Sequence, residues 1–164
     1  MSPAAFLQVL YDSETGTALR ESLYMFPLVE AIHLVGLAFS FGLILFTDLR
    51  LIGWFLPQVP VSELLRRLRP WLIGGFASTF ITGFLLTMAE GPRLLEIPVF
   101  PIKLGLIVLA GINALWFEVT FGRRIIQWDQ QTLPLGAKLA GWTSLVSWSL
   151  VVICGRMIPY LATH

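Results

Sequence analysis

Glu30 and His33 lie three residues apart within a long apolar run, a spacing that sets a carboxylate and an imidazole on one face of a helix. Lys103 and Arg156 stand in two further apolar runs. An imidazole in such surroundings can ligate haem iron or hydrogen-bond a quinone carbonyl, and the two cations can neutralise haem propionates. Sulfur offers a second chemistry. Met25, Met88 and Met157 fall near one end of their runs and Cys154 precedes Met157 by three, so with His33 they form a candidate set for Cu(I). Methionine at membrane depth is commonly apolar filler. A Glu-x-x-His pair also occurs in di-iron bundles, but those need two such pairs with further carboxylates, and this chain has one.

The elements that must carry these residues are apolar runs over 25–46, 71–88, 100–121 and 139–162. Each is near or above the roughly 20 residues that cross a hydrocarbon core of about 30 Å as a helix. The whole chain of 164 residues, 56% hydrophobic and 13% charged, is too apolar for an ordinary soluble domain. It reads as a single integral membrane domain over 1–164, an all-α four-transmembrane-helix bundle with short interfacial helices. Residues 3–10 are apolar but too short to cross, and Asp12-Ser13-Glu14-Thr15-Gly16 breaks them off. Ser62 is placed to cap a second short helix over 62–69, before Pro70 and Trp71 open the second span. Pro159 is expected to kink the end of the fourth. Small residues at four-residue spacing, Gly74/Ser78/Thr82, Gly75/Thr79/Gly83 and Ala110/Ala114, mark seams where helices pack closely.

Charge sets the orientation. Arg50, Arg66, Arg67 and Arg69 lie between spans one and two, and Arg123, Arg124 and Lys138 between three and four. The positive-inside rule places both loops in the cytoplasm and both termini outside. No basic run suits a nucleic acid, and the single cysteine excludes an internal disulfide and a C-x-x-C-H haem attachment. No phosphate loop, nucleophile elbow or zinc signature occurs, so no independent catalytic activity is expected. His164, at the end of the sequence, reads as solvent-exposed.

At about 1.5 Å per residue, Glu30 lies ~8 Å and His33 ~12 Å from the outer edge, Lys103 ~5 Å, and Arg156 ~9 Å. The four share one layer of the outer half, whereas Glu118 lies ~27 Å along span three. Buried charges are kept in pairs whether or not they do chemistry. Two readings of the layer follow: an ion-paired lock, with Glu30 neutralised by Arg156 or Lys103, or a site for a polar-headed redox ligand.

The stretch Tyr24-x-x-Pro27-x-x-Glu30-x-x-His33-x-x-Gly36, then Asp48-Leu49-Arg50-Leu51-x-Gly53, resembles an uncharacterised bacterial family of small four-helix integral membrane proteins. Pro70-Trp71, Thr82-Gly83, Pro98-x-Phe100-x-x-Lys103, Asn113 and Gly155-Arg156-x-Ile158-x-Tyr160 fit the same pattern. The resemblance implies a bacterial inner membrane and this architecture, with a fold-level likeness to small bundles that carry haem b or handle copper. That family often has a histidine after a phenylalanine late in span three; here Phe117 is followed by Glu118. The expectation is a small subunit of a membrane redox system. It would bind haem b or quinone through His33, Glu30, Arg156 and Lys103, with Met88 or Met157 or a second subunit completing any iron coordination. Otherwise it would anchor a redox partner or form a homo-oligomer. The alternatives are a non-catalytic structural subunit and copper handling through His33, Met88, Met157 and Cys154.

Overall fold

Serine caps open the chain's first two helices in the computed structural model, which describes residues 2–129 and 133–161. Ser2 Oγ accepts from Ala5 N at 3.2 Å and starts α1 (Pro3–Tyr11), with proline at a position where no N–H is needed. The polar break at Asp12-Ser13 is shorter than the sequence suggests. Ser13 Oγ accepts from Gly16 N at 3.1 Å and starts a second short helix, α2 (Glu14–Glu21). Arg20 ties the two together, stacking 3.7 Å over the Tyr11 ring and donating to Tyr11 O at 2.8 Å. Tyr11 in turn packs against Gly91, whose φ of 67° and missing Cβ are both required there.

Four long apolar helices follow: α3 (Met25–Ile52), α4 (Val61–Glu90), α5 (Val99–Thr120) and α7 (Leu135–Leu161), with the short α6 (Ile125–Trp128) before the last. Each long helix has the length and composition to cross a membrane, and no strand occurs among the described residues. The fold is an all-α four-helix bundle suited to a multi-pass membrane protein. Two boundaries differ from the sequence reading. The helix α3 continues past residue 46 because Asp48 and Arg50 are accommodated inside it, and it stops only at Gly53, a left-handed cap with φ 92°. The helix expected over 62–69 and the second span are one continuous helix with Pro70 inside it. Proline removes a single N–H from the ladder, and the flanking turns persist. Residues 162 and 164, the latter being His164, lie outside the described residues.

The helix α3 packs between α4 and α7, and α5 packs on α7. Of the expected seams, the Gly75/Thr79/Gly83 row faces α3: a Cβ on Gly75 would meet Phe39 at 3.0 Å, and one on Gly83 would meet His33 at 3.0 Å. Gly74 has open space beside it and Ala114 is exposed, so those two face outward. Ala110 is buried.

A core of Leu51, Val61 and Ala137, with Phe117, Phe121 and Trp128 around it, closes the end that carries the interhelical loops. There Asp129 reaches across 68 residues of sequence to cap α4, accepting from Val61 N at 2.5 Å and Ser62 N at 3.2 Å, with the Ser62 hydroxyl also donating to it. Ser62 is therefore not the cap that the sequence suggests. Arg50 Nε donates to Val59 O at 2.6 Å, and Arg69 pairs with Glu118 at 2.5 Å. A second core, Leu94, Ile97 and Phe100 against Ile158, closes the opposite end, where α1 and α2 lie.

Candidate functional site

Residue 33 faces α4, and the small residues of α4 let the ring approach its backbone. His33 Nδ1 lies 3.0 Å from Thr79 O and 3.0 Å from Thr82 Oγ1. The tautomer follows from the network. Thr79 O can only accept, and the Thr82 hydroxyl already donates to Ser78 O at 2.7 Å. Nδ1 must therefore carry the hydrogen. In the neutral ring the lone pair is then on Nε2, which no described residue bonds. With Cε1 held against Gly83, the half-buried imidazole is locked in place and aimed.

Lys103, in the first turns of α5, is half-buried and leans on α7, where a Cβ on Gly155 would lie 3.6 Å from its Nζ. It is close enough to act electrostatically on both His33 and Cys154. No carboxylate lies within 4.0 Å of it among the described residues.

The expected lock is not formed. Glu30 is exposed and makes no ion pair among the described residues, although it is near enough to His33 to act on it electrostatically. Arg156 is exposed on α7, donates to Tyr160 Oη at 2.8 Å, and stands 5.1 Å over that ring. The physical reason is direction. A long side chain near a helix end can run outward along its own helix to a partner one turn away, and Lys103 turns toward α7 instead. The structure thus brings His33, Lys103 and Cys154 into one neighbourhood, leaves Glu30 at its edge, and directs Arg156 outward.

The sulfur atoms are dispersed. Met88 is buried five residues beyond Gly83, about 7 Å further along α4, while Met25 and Met157 are exposed. No group of three or more His, Cys, Asp or Glu side chains among the described residues could hold a metal ion. The donor set open to a ligand is therefore one imidazole nitrogen and one ammonium. For haem these would be an iron-binding nitrogen and a propionate partner, and for a quinone a hydrogen-bonding group of each kind.

The sequence reading missed Thr79 and Thr82 as the partners of His33, having looked only to the face that His33 shares with Glu30. A signal existed: the hydroxyls at 78, 79 and 82 belong to a helix running antiparallel at the same depth. They read there only as small packing residues.

Fold and site together describe a small multi-pass helical membrane protein with a polar layer at the end that carries its termini. Comparison with known proteins adds no relative: no family model, curated protein or solved structure matches the chain.

Proposed function

We propose that the chain is a subunit of a membrane redox system whose polar layer receives the head of a lipid-soluble redox ligand, a quinone or haem b. The observation that carries this reading is the fixed imidazole: Nδ1 is committed to Thr79 O and Thr82 Oγ1, which leaves the Nε2 lone pair open, within electrostatic reach of an ammonium that has no ion-pair partner among the described residues. A backbone carbonyl on Nδ1 is the outer-shell contact that orients ligating histidines. Toward a quinol, Nε2 would accept an O–H, and Lys103 would donate to a carbonyl of the oxidised ring. Haem, if bound, would be held by His33 Nε2 on its iron and by Lys103 at a propionate, and would supply one-electron chemistry.

On the family resemblance the protein would sit in a bacterial inner membrane, and the excess of basic residues in its loops supports both termini lying outside. Redox partner subunits or further copies of the chain would then meet the layer from the outer half.

A second reading, the non-catalytic structural subunit, is favoured by the loop end, where Asp129, Arg50, Arg69 and Glu118 are engaged in holding segments together. Copper handling gains nothing from the dispersed sulfurs. Purification in mild detergent, followed by an oxidised-minus-reduced spectrum, quinone extraction and metal analysis, separates the three. A Soret band or stoichiometric quinone supports the redox reading, and a colourless, quinone-free and metal-free protein leaves the structural subunit.

A further inference from the structure

Asp48 stands apart from every other buried polar side chain. It is 5% exposed, on the face of α3 that packs against α7, and its Oδ2 is the one buried side-chain polar atom without a hydrogen-bond partner among the described residues. The backbones are close at this point: a Cβ on Gly141 would lie 3.2 Å from Asp48 O and 3.1 Å from Leu51 Cβ. One turn further along α7 stands Ser144, the hydroxyl near enough to act on the carboxyl.

No charge answers it. Arg50, two residues on, is committed to Val59 O. On α4, Glu63 holds Arg66 and Arg67, and Arg69 holds Glu118 of α5. On α7, Lys138 forms no ion pair among the described residues, and Asp129 caps α4. An ionised carboxylate here would place an unanswered charge between apolar helices, which is far more costly than a neutral acid with one weakly polar hydroxyl. A buried unpartnered atom of this kind calls for a ligand of its own.

We propose that Asp48, with Ser144, is a proton-binding site inside the membrane domain, on the α3–α7 contact and distinct from the His33 layer. Proton transfer is the only step. The carboxylate takes a proton from hydronium that enters from the loop end: one O–H bond of hydronium breaks, one forms on the carboxyl, and water is released. Asp48 is four residues from the end of α3, so the path from loop-side water is about 6 Å along the helix. Losing the proton would put a charge into the contact between the two hairpins, so occupancy of the site sets how tightly α3 and α7 pack. This does not depend on the reading of the His33 layer.

Infrared spectroscopy of the protein in lipid vesicles at neutral pH tests it. The expected result is a carboxylic-acid C=O band that shifts in deuterium oxide, disappears in Asp48→Asn, and moves in frequency in Ser144→Ala, which removes the neighbouring hydroxyl. Treatment with dicyclohexylcarbodiimide, which attacks protonated carboxyls in apolar surroundings, should yield an adduct at Asp48 and none at Asp129. That peptide map on the natural sequence decides the matter if Asp48→Asn does not fold. Absence of both the band and the adduct would overturn the proposal. Carboxylate bands that move when sodium is exchanged for lithium would also overturn it, because a metal cation would then be the ligand.

Discussion

The two ends of the bundle treat their polar groups in opposite ways. At the loop end, Asp129 gathers two backbone amides and a hydroxyl, Arg50 closes on a carbonyl, and Arg69 meets Glu118. At the end carrying α1 and α2, His33 uses one nitrogen and keeps the other open, Lys103 has no carboxylate, and Glu30 has no cation among the described residues. Polar groups that fold a protein consume one another's valences, whereas groups that serve a ligand must keep some free. On that contrast, and with Asp48 between α3 and α7 as the exception near the loops, the loop end is a clasp and the opposite layer is a site.

The largest change in stability is expected at the clasp. Asp129→Ala strips the cap from α4 and leaves amides unpaired in a buried corner, at a cost of about 3 kcal/mol by the penalties for lost hydrogen bonds to charged groups and unsatisfied donors. Thermal melting in detergent should show it, with ligand content per folded molecule unchanged. An unshifted melting curve would mean that the hairpins are held by apolar packing alone. Next comes Thr82→Val, which removes one acceptor from His33 and should cost about 1 kcal/mol. It should also loosen the ring, so that retained ligand falls while the fold persists. If ligand retention is unaffected, Thr79 O alone orients the imidazole.

These expectations show where the sequence was legible. Apolar runs announced four spans because length and hydropathy are local properties, and Glu30/His33 spacing announced a polar face. The cap was hidden because Asp129 and Val61 are 68 residues apart and meet only when both hairpins have docked. The ion pair with Arg156 was inferred from shared depth, but depth gives height along the bundle and not direction around each helix. His33 and Thr79 share a height and also face one another; Glu30 and Arg156 share a height and do not bond. Pro70 misled because a proline at an interface resembles a helix start and here is a mid-helix residue.

Smaller effects sharpen the contrast. The Arg69–Glu118 pair joins side chains 52% and 39% exposed, so Arg69→Met should cost under ~1 kcal/mol in melting experiments. Arg156→Met should cost about 0.5 kcal/mol or less, since its partner Tyr160 is on its own helix and both are exposed. A large loss of stability in Arg156→Met would restore the lock that the sequence suggested and remove the distinction between the two ends.

The most direct measurement is the ligand content of protein purified in mild detergent, wild type against His33→Gln. Each is assayed by reduced-minus-oxidised absorption, by quinone extraction and by thermal melting. A Soret band or extractable quinone is expected in the wild type, lost in His33→Gln while melting moves by about 1 kcal/mol or less, the scale of one net hydrogen bond. A wild type without haem or quinone, or a His33→Gln variant that keeps its ligand, would contradict the claim that the open nitrogen of His33 is there to hold one.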